Sequence, residues 1–248
     1  MIKDIDVRIY EERKSMGAAA AEKFAKEVAA ILKTKEQISV VFAAAPSQNE
    51  FLAALDYENL DWSRINAFHM DEYISLAADA PQGFGNFLRH RLFDKFNFKS
   101  VNYLNGNAHD INAECERYTT LLNQNKVDIV CMGIGENGHL AFNDPPVADF
   151  EDKHTVKVVE LDEICRQQQV NDGCFANINE VPKRALTLTI PTLLSATYIN
   201  CVVPGPTKAE AVKNTLQAEI TTKNPATILR THSNAVLFLD SDSSSLIT

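Results

Sequence analysis

Two adjacent carboxylates, Asp71 and Glu72, stand where the apolar run from Ile65 to Met70 ends. A carboxylate buried at such a point has a raised pKa and can act as a general base near neutral pH. The alternative is that Asp71 only caps the following turn, and this stretch taken alone favours that alternative.

His139 is the second residue that could move protons. It follows a glycine-rich turn, two residues after Asn137 and five before Asp144. A carboxylate within reach of an imidazole orients the ring and raises its basicity, as a proton shuttle requires. A lone histidine is more often structural, and metal ligation is a third alternative, but no His-x-x-x-His spacing or Cys/His cluster supplies a second soft ligand. We therefore expect acid–base chemistry with no metal.

The turn before His139 contains Gly133-x-Gly135-x-x-Gly138, a spacing found in dinucleotide-binding folds. That motif opens a long helix, whereas Asn143-Asp-Pro-Pro146 ends any helix here within about two turns. The pattern is instead typical of glycines that let the backbone approach some other ligand closely.

Two Ser/Thr-x-x-Glu patterns predict helix N-termini that could bind an anion: Ser47 to Glu50 and Thr207 to Glu210. Lys208 lies in the first turn of the second helix, where a cation opposes the helix dipole, and this placement indicates a bound anion. For Ser47 an ordinary helix cap is an equal alternative.

Alternating apolar runs and helical patterns position these residues. We predict helices over 15–33, 47–55, 84–96 and from Thr207 onward. Strands are expected at 38–43, 65–70, 127–132, 155–161, 185–190, 198–203 and 235–240. This alternation predicts one α/β domain over 1–248, a three-layer fold whose mostly parallel sheet has helices on both faces. Such sheets bind ligands where strands end and helices begin, and that rule selects the four segments above.

Composition narrows the function further. The chain has 24 Lys and Arg against 33 Asp and Glu, a net charge of -9, which argues against nucleic-acid or anionic-membrane partners. No run of about 18 apolar residues predicts a membrane span, and the start, Met1 to Asp6, lacks the apolar core of a signal peptide. Five cysteines without a Cys-x-x-Cys pair fit reduced thiols that fill the core of a cytoplasmic protein.

At these residues the sequence resembles the glucosamine-6-phosphate deaminase (isomerase) family. The similar segments are Phe68 to Tyr73, Gly133 to Pro145, Val181 to Thr187, Gly205 to Ala211, and Thr231-His232 through to Asp240. The related 6-phosphogluconolactonases share the glycine turn and its histidine but lack a segment like Phe142-Asn-Asp-Pro145. This segment therefore favours the deaminases over the lactonases.

The resemblance implies no metal and no organic cofactor, and it implies a role for each matching residue. Asp71 would be the base between C2 and C1 of the open-chain amino sugar, and His139 would open the pyranose ring with Asn137 and Asp144 completing its relay. A mobile lid would span about 158–182. The implied substrate-binding residues are Ala44, Ser47, Glu72, Gly133, Gly135, Gly138, Arg166, Gly205 and the phosphate ligand Lys208.

This sequence departs from the family pattern mainly in the phosphate half of the site. Ala43-Ala-Ala-Pro-Ser47-Gln replaces a loop that carries two glycines, and Gln169 to Phe175 lacks the usual lid arginine; Arg166 is nearby but fits a different family position. Asp144 replaces a glutamate, and Asn137 occurs in some members of the family. A different substrate sugar, or a phosphate bound by different residues, is therefore an alternative.

Three functions remain as alternatives. The first is an isomerase and deaminase acting on glucosamine 6-phosphate or galactosamine 6-phosphate. The second is a lactone hydrolase on the same scaffold, which Phe142-Asn-Asp-Pro145 argues against. The third is a non-catalytic sugar-phosphate sensor, which the altered loop favours and the intact Asp71 and His139 disfavour. The protein is expected to act as a monomer or as a homo-oligomer.

Overall fold

The computed structural model describes residues 5–247, and residues 1–4 and 248 of the predicted domain lie outside them. A seven-stranded parallel sheet forms its centre, in the order β1-β10-β9-β6-β2-β3-β5. Its strands are β1 (Asp6–Tyr10), β2 (Ile38–Phe42), β3 (Ile65–His69), β5 (Ser100–Asn102), β6 (Ile129–Met132), β9 (Tyr198–Val203) and β10 (Ala235–Asp240). The expected mostly parallel sheet is confirmed.

Helices cover both faces of this sheet. They are α1 (Arg13–Ile31), α2 (Asn49–Ala54), α3 (Phe84–Leu88), α4 (Ile111–Gln124), α5 (Glu163–Asn171), α6 (Ile190–Leu194) and α7 (Ala209–Gln217). Phe42 of β2 packs with Phe24 of α1 in one apolar cluster, while the preceding Val41 packs with Tyr118 of α4 in the other. Consecutive side chains of a strand therefore pack on opposite faces of the sheet. Because both faces are buried, these strands appear in the sequence as continuous apolar runs.

Two of the predicted strands do not join this sheet. β7 (Val156–Glu160) and β8 (Arg184–Leu188) form a separate three-stranded antiparallel sheet with β4 (Asp71–Tyr73). Asp71 pairs with Thr187 in this sheet, so the segment that leaves β3 changes sheets at the carboxylate of interest.

The chain order of the strands creates a crevice. From β2 the chain moves outward through β3 to β5, then returns to place β6 on the other side of β2. Ligands of open α/β folds bind at such a switch point, outside the carboxyl ends of the strands. The four candidate segments follow β9, β6, β2 and β3, which are consecutive in the sheet.

The helix starts differ from the predictions. Neither predicted Ser/Thr cap forms, because a 3₁₀ turn precedes each helix: Pro46–Gln48 before α2 and Pro206–Lys208 before α7. Glu50 instead makes two hydrogen bonds of 3.0 Å with Arg13. The predicted helix over 84–96 is α-helical only to Leu88 and continues as a π-helical segment, Arg89–Phe93. Within residues 5–247 no helix is long and apolar enough to cross a membrane.

Candidate active site

A cavity of about 60 Å³ lies over the switch point. The predicted residues that line it are Ala44, Ser47, Asp71, Gly133, Gly135, His139 and Lys208. Gln168 and Gln169 of α5 close it from the side opposite the sheet. Ligand pockets usually measure about 300–1,000 Å³, so this cavity is narrow by comparison.

Asp71 is buried in the wall of this cavity, with 7% of its surface exposed. Among residues 5–247 no group donates a hydrogen bond to its carboxylate. Burial raises its pKa well above the usual range, and the carboxylates of Glu72 and Asp144 raise it further. A buried carboxylate without donors can accept a proton near neutral pH, as a general base must.

His139, Asp144 and Asn137 form a contiguous relay of polar contacts. The Nδ1 atom of His139 lies 2.8 Å from Oδ1 of Asp144. The side-chain amide of Asn137 donates to the same oxygen at 2.9 Å, and its carbonyl oxygen accepts from the backbone N–H of His139 at 3.1 Å. With Nδ1 facing the carboxylate, Nε2 is the nitrogen left for a ligand in the cavity.

The contacts of Asp144 keep it ionised. Its complete burial would raise the pKa, but His139, Asn137 and Cys165 outweigh that effect, and the pKa lies below its usual value. The two carboxyls therefore differ: the pKa of Asp71 is shifted upward by burial, whereas the contacts of Asp144 shift its pKa downward. Opposite shifts of two neighbouring carboxyls are typical of a site that assigns them different roles.

Gly135 is required by the relay itself. A Cβ atom at this position would lie 2.2–2.4 Å from three atoms of the His139 ring. Real side chains never approach so closely, so only glycine lets the imidazole pack against this turn. The glycine at position 135 thus leaves room for the His139 ring. No helix lies between residues 139 and 155, as expected for a motif unrelated to dinucleotide binding.

Cys165 of α5 is the thiol that the sequence did not connect with the site. Its Sγ, an Asp144 oxygen and a His139 ring nitrogen lie within 4.8 Å of one another, so the second soft ligand that the sequence lacked is present in space. Two ligands about 2.1 Å from a tetrahedral zinc lie about 3.4 Å apart. The His139–Asp144 separation of 2.8 Å fits a hydrogen-bonded pair better.

A second set of lining residues, here called the Lys208 end of the cavity, contains one cation. Lys208 is 4% exposed, and within residues 5–247 no group pairs with its ammonium. Burial lowers its pKa, an effect that the carboxylates of Asp172 and Glu136 partly oppose. A buried ammonium without a paired carboxylate carries an uncompensated positive charge, and an anionic ligand can neutralise it.

The turn that carries Ser47 faces this end of the cavity. The side-chain amide of Gln48 donates to Oγ of Ser47 at 3.2 Å and to the carbonyl of Val202 in β9 at 3.1 Å. A Cβ on Gly133 would lie 3.0 Å from the same amide nitrogen. Gln48 therefore holds the turn after β2 against the neighbouring strands.

Helix α5 and the loop after it occupy the predicted lid region. Gln169 accepts a hydrogen bond of 2.8 Å from the hydroxyl of Tyr73, and Gln168 accepts one of 2.8 Å from the backbone N–H of Glu136. These two bonds fasten α5 over the cavity. The mobility of this segment stays a prediction.

Four predicted binding residues do not line the cavity. Glu72 accepts hydrogen bonds from the backbone N–H groups of Tyr73, Phe84 and Gly85. Arg166 donates to the carbonyls of Ile178 and Val181 and so holds the loop after α5. Gly138 accepts from the backbone N–H of Ala226 at 2.8 Å. Gly205, at φ +92°, donates to both carboxylate oxygens of Asp240 at 3.0 and 2.9 Å. These residues support the site from outside.

The chain is similar to known proteins over most of its length. A family model described as glucosamine-6-phosphate isomerases/6-phosphogluconolactonase matches residues 11–238. A glucosamine-6-phosphate deaminase of Bacillus cereus is 35% identical over 226 residues, which are 91% of this chain and 84% of that protein. The corresponding Bacillus cytotoxicus protein has the same identity and coverage.

Solved structures give the same fold. A structure described as a monomeric glucosamine-6-phosphate deaminase superposes with a TM-score of 0.87 at 31% identity, covering 98% of this chain and all of that one. A 6-phosphogluconolactonase of Thermotoga maritima gives a TM-score of 0.77 at 20% identity, covering 95% and 99% of the two chains. The second likeness concerns the fold alone.

Proposed function

The chain belongs to the family of glucosamine-6-phosphate isomerases and 6-phosphogluconolactonases, and from that premise we propose that it converts glucosamine 6-phosphate to fructose 6-phosphate and ammonia. The observation that carries the proposal is one cavity that holds Asp71, His139 and Lys208. The named deaminases that resemble this chain over most of its length support the same activity.

His139 opens the sugar ring in this proposal. Nε2 accepts the proton of the C1 hydroxyl, and the ring oxygen receives a proton as the bond between C1 and O5 breaks. The charged Asp144, bound to Nδ1 at 2.8 Å, stabilises the imidazolium that exists between these two transfers.

Asp71 then moves a proton along the open chain. Its carboxylate removes the proton from C2 while O1 gains a proton, which gives an enolamine. The carboxylic acid so formed then delivers its proton to C1 while the amino group loses one, which leaves an imine at C2 and a hydroxyl at C1. Water hydrolyses the imine to the ketose and ammonia. The raised pKa of Asp71 suits a group that must both accept and return a proton.

Lys208 binds the phosphate, together with backbone N–H groups after Ser47. The charge of the phosphate replaces the missing carboxylate partner of this buried ammonium. Because the cavity is narrow, we expect α5 to shift when the substrate enters. Galactosamine 6-phosphate is the proposed variant substrate, since a C4 epimer requires only different polar contacts.

A substrate panel tests this function. Ammonia and ketose are measured with glucosamine, galactosamine and their 6-phosphates, and acid release is measured with 6-phosphogluconolactone. We expect ammonia and ketose 6-phosphate in equal amounts from at least one amino-sugar phosphate. Turnover of the lactone alone would replace the proposal with a hydrolase, and binding without any turnover would replace it with a sensor.

We also propose a single domain and a cytoplasmic location. The family match over residues 11–238 supports one domain. All five cysteines are free thiols, the form that a reducing compartment preserves.

A further inference from the structure

His69, the last residue of β3, connects three segments behind the cavity. Its side chain is fully buried. Nδ1 lies 2.9 Å from the backbone carbonyl oxygen of Asp71, and Nε2 lies 3.0 Å from the backbone nitrogen of Leu104, which follows β5. The imidazole thus bridges the residue that carries the proposed base to the edge of the main sheet.

The partners of the ring define its protonation. Burial lowers the pKa of His69 to about 4, although the Asp71 carbonyl and the Glu114 carboxylate oppose this shift. The ring is therefore neutral at physiological pH, with one N–H and one acceptor nitrogen. Since the backbone N–H of Leu104 can only donate, Nε2 is the acceptor and Nδ1 donates to the Asp71 carbonyl.

The backbone of His69 is fixed as well. The hydroxyl of Tyr118 accepts from the His69 N–H at 3.0 Å and lies 2.9 Å from the His69 carbonyl oxygen. The Asp71 carboxylate, in contrast, accepts no hydrogen bond from residues 5–247. No side chain therefore steers this carboxylate, and its position depends on the backbone of Asp71, which the β4–β8 pairing and the His69 ring hold.

We propose that His69 is a positioning residue whose Nδ1–H bond to the Asp71 carbonyl aims the base at the substrate. This inference rests on the proposed function. Proton transfer requires the base to lie about 2.6–3.2 Å from the proton donor, and a displacement of about 1 Å can lower a rate about 10²-fold. Loss of the bond should therefore lower kcat and leave KM nearly unchanged.

Two substitutions separate the two bonds of the ring. In His69→Asn the side-chain N–H occupies the place of Nδ1–H, so the bond to Asp71 is kept and the Leu104 N–H loses its acceptor. In His69→Gln the amide oxygen reaches the place of Nε2, so the bond to Leu104 is kept and the Asp71 carbonyl loses its donor. We expect similar falls in melting temperature, with kcat within about 3-fold of wild type for Asn and about 10- to 100-fold lower for Gln.

His232 provides a matched control away from the cavity. Its Nε2 lies 2.8 Å from the Ala196 carbonyl oxygen, and its Nδ1 accepts from the Asn234 N–H at 3.2 Å. His232→Asn and His232→Gln should change the melting temperature without separating in kcat. If the two His69 variants also lose kcat equally, in proportion to stability, His69 is structural and the inference is wrong.

A readout independent of activity completes the test. In ¹⁵N-histidine-labelled wild-type protein, NMR should show His69 with its proton on Nδ1, and a crystal structure of His69→Gln should show a displaced Asp71 carbonyl. A proton on Nε2, or an unmoved carbonyl, overturns the inference even in an active enzyme. Absence of ammonia release by wild type would instead contradict the proposed function and leave these two measurements to decide the role of His69.

Discussion

The two ends of the cavity are built differently. At one end His139 and Asn137 both contact Oδ1 of Asp144, at 2.8 and 2.9 Å, and His69 holds the backbone of Asp71. At the other end a single buried cation, Lys208, has no paired side chain among residues 5–247. The first end is organised before a ligand arrives, while the second depends on the ligand for its charge balance.

This difference indicates how each end should respond to substitution. Proton transfer needs groups held in place, so its loss should appear in kcat. An isolated charge contributes to binding in the ground state and the transition state alike, so its loss should appear in KM.

The largest effect is expected for Asp71→Asn. An amide cannot accept the C2 proton, so the rate of ammonia release should fall about 10²–10⁴-fold with nearly unchanged substrate binding. The measurement is kcat from ammonia and ketose formation, with binding followed by calorimetry. Near-wild-type turnover in protein free of host deaminase would remove Asp71 from the mechanism.

His139→Gln should act on a single step. Its proposed task is ring opening, so turnover of cyclic glucosamine 6-phosphate should fall about 10²-fold. An analogue that lacks the C4 and C5 hydroxyls cannot close its ring and should be affected much less. Equal losses on both substrates would give His139 a later or purely structural role.

The sequence predicted the central strands well because five of them are buried on both faces and appear as apolar runs. It did not predict β1, an edge strand with exposed positions, nor the three-residue strands β4 and β5, which are too short for a periodic pattern. The sequence also placed the predicted strands at 155–161 and 185–190 in the mostly parallel sheet. This was wrong because an apolar run predicts a strand but not the strand with which it pairs.

Residues of the site were predictable where their type is chemically distinctive. Asp71, His139, Asp144 and Lys208 are acids, bases or cations that follow sheet strands, and the structure brings all four to one region. Gln48, Gln168, Gln169 and Cys165 were missed because neutral amides and a thiol are common in any core. Only the tertiary contacts place them against the cavity.

Lys208→Met tests the other end of the cavity. A hydrogen bond to a charged group contributes about 1.5–3 kcal/mol, so KM for the sugar phosphate should rise about 10- to 100-fold with a small change in kcat. The loss should be larger at low ionic strength, and turnover of unphosphorylated sugar should not change. Lys213→Met, on the exposed side of α7, is the matched control.

A crystal soaked with sugar phosphate gives the direct check on Lys208. The anion should lie between Lys208 and Ser47. An anion bound elsewhere, or an unchanged preference for phosphate in the Met variant, would contradict this assignment and indicate an unphosphorylated or different substrate.

The smallest expected effect concerns stability and again involves Asp71. Its folded-state pKa lies above its unfolded-state value, so the free energy of unfolding falls as pH rises from the unfolded pKa to the folded pKa. Asp71→Asn has no such penalty and should be more stable than wild type at pH 8. The advantage should shrink as the pH falls toward about 4. Urea unfolding between pH 5 and 8 measures it.

Asp128 supplies the matched control for this stability effect. It is equally buried but accepts hydrogen bonds from Lys35 and from the backbone N–H of Ser39. Asp128→Asn should therefore lower the free energy of unfolding at pH 8, because the ammonium of Lys35 loses its charged partner. If Asp71→Asn and Asp128→Asn both destabilise the protein at pH 8, the surroundings of Asp71 stabilise its carboxylate. Burial of this base would then not lower the stability of the protein, contrary to the description given above.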